Sequence, residues 1–232
     1  MKNIKHNLTL LLFITLALSG GAGFADVFES VHPTQVPSGI PYSAVQPPVE
    51  DPTLFAGKRV GILASHGVEE SEIVFPYTFL VERGANVEVL TPEWAPDGIV
   101  ASQFLKPTLF VKSSRTFRNA PTVTYDLLIL TGGAWNAQVV RSDSDALNLI
   151  KAHYGAGRPV AAICAGTSIL IDAGIAHGQH LTGSPVVAVD LRNAGAIFSD
   201  EPAVFGNHLL TSRSPNDLPE FVKGIQELLL KQ

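Results

Sequence analysis

Cysteine is nearly missing from this sequence: among 232 residues the only one is Cys164. A single thiol cannot close an internal disulfide, and it leaves no C-x-x-C pair. H-E-x-x-H is missing as well, so the chain offers no ligand spacing for zinc. Charge is sparse. Asp, Glu, Lys and Arg make up 16% of the residues, the formal net charge is −5, and basic side chains gather no further than pairs such as Lys58-Arg59. Binding nucleic acid requires a basic footprint that displaces counterions from phosphates, and none is present. There is no G-x-S-x-G serine elbow. Gly20, Gly21 and Gly23 lie in the N-terminal segment and cannot form a dinucleotide loop. Beyond that segment no apolar run approaches the ~20 residues a membrane-spanning helix needs.

Residues 1–25 read as a signal peptide. Lys2 and Lys5 form a positive start, Leu8 to Leu18 an apolar stretch of 11 residues, and Gly23-Phe24-Ala25 places small residues at the two cleavage positions. The expectation is an exported protein, periplasmic or secreted, with no membrane association after cleavage. Residues 26–54 hold six prolines (Pro33, Pro37, Pro41, Pro47, Pro48 and Pro52) and no apolar periodicity, which reads as an extended, largely unstructured lead-in. The folded domain is expected over 55–232. Hydrophobic residues are 46% of the chain, enough for one ordinary globular core.

From residue 59 short β-branched runs alternate with helical stretches, the pattern of a parallel sheet with helices on both faces. The expected elements are a strand over 59–64, a helix over 70–83 stopped at Gly84, and strands over 86–90 and 127–130. A helix over 143–154, a strand over 160–163 and a helix over 167–173 follow. One or two strands between 196 and 211 and an amphipathic helix over 216–230 complete the set. Residues 94–121 break the alternation and predict a small excursion or hairpin with a strand over 108–111.

Cys164 falls where the strand 160–163 runs directly into a helix, among the small residues Ala161, Ala162, Ala165 and Gly166. That is the layout of a nucleophile elbow, beyond the carboxyl ends of the strands where open α/β sheets bind ligands. A thiol at a helix N-terminus is expected to ionise more readily than usual. A buried thiol acting as a small hydrophobe, or an intermolecular disulfide, is the plainer alternative. The first strand opens into His66-Gly67-Val68-Glu69-Glu70-Ser71-Glu72. Glu69 and Glu70 read as ordinary first-turn acids, whereas Glu72 lies further into the helix and is the candidate to face the crevice.

Three stretches taken together, Gly67 to Glu72, Leu130-Thr131-Gly132-Gly133, and Ala161 to Gly166, resemble the DJ-1/PfpI family of the class I glutamine-amidotransferase-like superfamily. The late Leu210-Thr211-Ser212-Arg213-Ser214-Pro215 is similar to that family's ending. The resemblance implies an α/β, flavodoxin-like three-layer sandwich with a mostly parallel central sheet, and commonly a homodimer. It makes Cys164 the nucleophile and Glu72 its carboxyl partner, with Gly132, Gly133 and Ala165 as oxyanion or substrate-binding donors. It implies a small carbonyl or acyl substrate and no cofactor.

Two departures stand out. Protease-like relatives carry a histidine directly after the cysteine, where this chain has Ala165. Others keep one in the loop matching Thr182-Gly183-Ser184-Pro185, where Ser184 takes the position. His66 and Ser184 are therefore the possible accessory residues, while His177, His180 and His208 read as surface residues. No His-x-Glu pair follows late in the chain, which excludes a glutaminase. Three readings stay open: a glyoxalase- or deglycase-like enzyme, a non-catalytic redox-sensing or chaperone-like stress protein, and an isonitrile-hydratase-like hydratase or ligand sensor.

Overall fold

The computed structural model describes residues 27–30 and 47–231. The expected signal peptide lies outside the described residues, as does most of the lead-in. Within that lead-in Phe28–Ser30 forms a strand, β1, so part of it belongs to the folded unit. Phe28 is buried against Tyr77 with ring centroids 5.0 Å apart, edge to face.

The central sheet has seven strands. In chain order they are β2 (Arg59–Leu63), β4 (Asn86–Thr91), β7 (Arg115–Thr116), β8 (Leu127–Leu130), β9 (Val160–Ile163), β12 (Ala203–Gly206) and β13 (Leu209–Ser212). Across the sheet the order is β12-β13-β9-β8-β2-β4-β7, and every neighbouring pair is parallel except β12 with β13. Strands covered on both faces read as continuous apolar runs, as in the Leu-Leu-Ile-Leu of β8 and the Val-Ala-Ala-Ile of β9, all buried.

Pleating sends alternate residues of these strands into two separate cores. Val60, Ile62, Leu127, Ile129, Ala161 and Ile163 pack with helices α1 (Glu70–Val81) and α6 (Leu218–Leu230). Leu63, Leu128, Leu130, Val160 and Ala162 pack on the other face with α2 (Ala134–Ser142), α3 (Ser144–Gly155) and α4 (Ile169–Asp172). Cys164 touches both cores. This is the three-layer sandwich expected.

A second sheet, ordered β1-β6-β5-β3, covers the outer side of α1. It is built from the hairpin β5 (Gly98–Gln103) and β6 (Lys106–Lys112), edged by β1 and by β3 (Val68–Glu69). The excursion expected over 94–121 is this hairpin. Because α1 is thus enclosed, Ile73, Val74, Phe75, Pro76, Tyr77, Phe79 and Leu80 are all buried, and no single apolar stripe describes it. The shorter elements are β10 (His180–Leu181) and β11 (Ile197–Phe198), paired in parallel, and α5 (Ala188–Asn193).

The helix expected over 167–173 is instead a tight 3₁₀ stretch, Cys164–Ser168, that passes into the four-residue α4. Its tightness follows from Gly166, which packs onto the end of β8: a Cβ there would stand 2.5 Å from Thr131 O and 2.6 Å from Leu130 O. Backbone atoms cannot yield as a side-chain tip can. Gly166→Ala is therefore expected to lower stability by about 1–3 kcal/mol or more, as overpacking does, read as an earlier midpoint in urea unfolding.

Candidate active site

Cys164 is the first residue past β9, and its φ of 58° lies in the left-handed region that side chains with a Cβ seldom adopt. The turn is held from both sides of the chain. Thr167 Oγ1 donates to Cys164 O at 2.8 Å and Ser184 N donates to the same oxygen at 3.2 Å. The Ala165 and Gly133 backbone amides act on the sulfur and favour its charged form. Such fixed strain at a strand-to-helix elbow is a feature of functional sites.

Glu72 reaches this sulfur from the first turn of α1. It is completely buried. Gly132 N donates to Glu72 Oε2 at 2.7 Å, and the carboxyl interacts with the Cys164 thiol, while Oε1 has no partner that meets hydrogen-bond geometry. Gly132 is thereby corrected as an oxyanion donor, because its N–H is spent on Glu72. Its missing side chain is what lets the two groups meet: a Cβ at Gly132 would fall on Glu72 Oε2 and stand 2.6 Å from Cys164 Cβ.

The electrostatics differ from the sequence expectation. Burial pushes the Cys164 thiol up, and a charged Glu72 beside it would push it further; the Ala165 and Gly133 amides only partly oppose this. The 3₁₀ turn presents a shorter dipole than a full helix, which removes the basis for a readily ionised thiol. Burial, with the charge of Glu69, raises Glu72 to about 8. At neutral pH both groups hold their protons, and the first ionisation belongs to the pair rather than to either residue.

The loop that carries Gly133 is stapled by a residue the sequence did not single out. Asn136, fully buried in α2, accepts from Ser65 N at 2.6 Å and donates to Thr131 O at 2.8 Å and to Gly132 O at 2.9 Å. It ties the end of β2 to the end of β8. Gly133 needs its φ of 86° and its bareness, since a Cβ would stand 2.8 Å from Glu69 N.

The thiol and carboxyl stand at the floor of a cavity of 590 Å³. His66, Gly133, Ala165 and Ser184 line it, so the structure brings these expected residues together. His66 Nδ1 accepts from Val100 N at 2.9 Å, which in the neutral ring leaves the proton on Nε2 and makes His66 a donor, not a base. His177, His180 and His208 are exposed, His208 in the β12–β13 turn. Glu69 differs from its first-turn reading. It takes the N-cap position of α1 without a side-chain capping bond and lines the cavity, and its Oε2 accepts from Phe104 N at 3.1 Å at the tip of the β5–β6 hairpin. Val100, Phe104, Leu105, Trp135 and Val186 add apolar walls that no local pattern could place, because they come from a hairpin, a helix and a loop far apart in the chain. Among the described residues no group of three or more His, Cys, Asp or Glu is arranged to hold a metal.

The fold and these contacts define a class: an α/β sandwich that sets a thiol, a buried carboxyl and two backbone donors beyond the ends of its parallel strands. The chain belongs to the DJ-1/PfpI family, whose model matches residues 58–228. A deglycase from Pyrococcus abyssi is 32% identical over 171 residues, covering 74% of this chain and 99% of that protein. Protein/nucleic acid deglycase 2 of Escherichia coli is 31% identical over 173 residues, covering 74% and 98%. Among solved structures, a two-domain protein from Anabaena variabilis with DJ-1/ThiJ/PfpI-like and ferritin-like domains aligns with a TM-score of 0.68 at 28% identity. The match covers 73% of this chain and 49% of that one, so this chain spans about half of the two-domain protein. Drosophila melanogaster DJ-1beta shares the fold, with a TM-score of 0.68 at 24% identity over 75% of this chain and 91% of that one.

The raised Glu72 yields a linkage test. A buried acid that keeps its proton in the native state adds stability at low pH, and that contribution is lost as pH rises from the ordinary carboxyl value of 4.5 to about 8. The isosteric Glu72→Gln carries no such titration. Wild-type stability relative to Glu72→Gln should therefore fall by on the order of 1.4 kcal/mol per pH unit across that window and level off above it. Urea unfolding of both proteins at pH 5, 6.5 and 8 reads the difference.

Proposed function

We propose that this protein is a cysteine-dependent enzyme of the glyoxalase or deglycase type, exported from the cytoplasm, that acts on small reactive carbonyl compounds. One observation carries the reading: Cys164, Glu72 and the Gly133 and Ala165 amides converge at the floor of one cavity. The deglycase-named relatives support the same class of chemistry. The N-terminal segment of two lysines, an apolar stretch and small residues supports export.

In this reading a carbonyl carbon enters above Cys164. The sulfur–carbon bond forms as the carbonyl π pair moves onto oxygen, and the thiol proton passes through Glu72. The Gly133 and Ala165 N–H groups, already directed at the sulfur, stabilise the developing oxyanion. For methylglyoxal the balance needs only water: Glu72 moves a proton between the two carbons, so one is oxidised as its neighbour is reduced, and hydrolysis of the thioester releases lactate. Peptide cleavage requires a base that also protonates an amine leaving group. Ala165 and Ser184 stand where relatives carry that histidine and His66 has its Nδ1 engaged, so peptidase activity is no part of the proposal.

A redox-sensing role has one observation in its favour, the buried Glu72 carboxyl beside the sulfur, which in its protonated form donates a hydrogen bond to a sulfinate formed there. Intact mass after mild peroxide separates the two. A sensor gains two oxygens at Cys164 in the wild type and not in Glu72→Ala.

The enzyme reading predicts that Cys164→Ala abolishes methylglyoxal consumption and that Glu72→Gln lowers kcat at least a hundredfold, in the range of a lost general acid–base. Because the thiol and carboxyl must shed one proton before attack, kcat/KM should rise with pH on a limb with an apparent pKa near 8, the value that burial gives Glu72. Below it the rate should fall about tenfold per pH unit. A rate independent of pH between 6 and 8, or unaffected by Cys164→Ala, overturns the mechanism.

A further inference from the structure

The walls of the cavity are more specific than its floor. A three-carbon aldehyde would occupy a small corner of 590 Å³, a size within the roughly 300–1,000 Å³ of pockets that enclose drug-sized ligands. Among the described residues its ionisable lining consists of Glu69, Glu72, His66 and Cys164, with no lysine or arginine, so nothing there neutralises an anionic substrate and Glu69 opposes one.

The apolar groups at the rim are held in place despite their exposure. Phe104 and Leu105 are 86% and 85% exposed at the hairpin tip, yet both backbone polar groups of Phe104 are tied. Its N–H goes to Glu69 and its carbonyl accepts from Ser102 Oγ at 3.1 Å, which stabilises a φ of 55°. Trp135, 69% exposed, is rooted on Gly67: a Cβ on that glycine would stand 2.9 Å from Trp135 Cβ. Large apolar side chains fixed around an opening, with a reactive pair beneath, suit a ligand that covers them.

We propose that the site selects neutral carbonyl substrates bearing a bulky apolar substituent, aryl or branched alkyl, which packs against Trp135 and the Phe104–Leu105 tip while the carbonyl meets Cys164. This rests on the enzyme reading above and narrows its substrate class. The small 2-oxoaldehydes then become poor substrates that leave the walls uncovered. Carboxylate-bearing aldehydes are disfavoured by Glu69, with no cation in the described lining to offset it. His66, with its Nε2 proton to give, is the lining side chain suited to a neutral oxygen on the substrate.

The test compares kcat/KM of the full chain for phenylglyoxal, methylglyoxal and glyoxylate, in wild type, Trp135→Ala and Trp135→Phe. Phenylglyoxal should exceed methylglyoxal by about tenfold or more, the scale of discrimination that a few buried carbons provide, and glyoxylate should be the poorest. Trp135→Ala should collapse the aryl-to-methyl ratio to within about threefold, and Trp135→Phe should restore most of it, which a merely unfolded variant could not do. Equal rates for the two aldehydes, preference for glyoxylate, or a ratio untouched by Trp135→Ala overturns the assignment. If no aldehyde is turned over, the enzyme reading fails and binding decides the pocket. Acetophenone should then show saturation-transfer NMR signals with Cys164→Ala that weaken in the Cys164→Ala/Trp135→Ala double variant, and pyruvate should show none. Acetophenone signals that are missing or insensitive to Trp135 overturn it in that case.

Discussion

The contact on which the rest of the site depends is the meeting of Glu72, Gly132 and Cys164. It joins a helix from one layer to two strand ends from the sheet, and each partner is there because the others leave room. Gly132 contributes an N–H and no side chain, so the carboxyl can lie against the elbow. The elbow in turn requires Gly166, which approaches the Leu130 and Thr131 carbonyls too closely for any larger residue. Asn136 then fixes the Thr131 and Gly132 carbonyls from the other side. A buried carboxyl held by one backbone donor is costly when charged, and the protein accommodates it by keeping it protonated.

That constraint explains which features were legible in the sequence. The strands β2, β8 and β9 were readable because burial on both faces leaves only apolar runs. The elbow was readable because a tight turn leaves only small residues around Cys164. Position made Glu72 the candidate among three acids, but its role as carboxyl partner came from family resemblance, since acids near a helix start look alike until α1 is docked. The protonation state of the thiol was misread for a physical reason: a strand-to-helix step in sequence does not reveal that the next turn is 3₁₀ and its dipole short.

The cavity walls were not legible at all. The helix α2 escaped notice because it buries only Asn136, Ala137 and Val140, too few positions for a periodic signal. Trp135 at its start gave no hint of facing Gly67. The β5–β6 hairpin belongs to a second sheet added outside the alternating pattern, and its tip acquires meaning only through the hydrogen bond between Glu69 and Phe104. Residues that set the chemistry lie at strand ends and leave a local signature. The walls come from separate insertions whose convergence is a property of the tertiary fold.

In the proposed reaction, a thiol raised by burial fits a nucleophile once the charge balance of the whole sequence of steps is considered. The resting site holds a neutral thiol and a neutral acid, so it carries no net charge in a low-dielectric floor. Charge enters with the one proton that the pair loses, and as the sulfur attacks it passes to the carbonyl oxygen, which the Gly133 and Ala165 amides beside the sulfur are placed to meet. Stabilisation that is small in the ground state and large in the transition state lowers the barrier. A thiolate fully stabilised at rest would be easier to form but less nucleophilic, and in the oxidising compartment that the proposed export implies it would be readily oxidised. In that proposal, keeping Cys164 protonated behind Glu72, beneath an apolar rim, protects the thiol until a carbonyl compound enters the cavity.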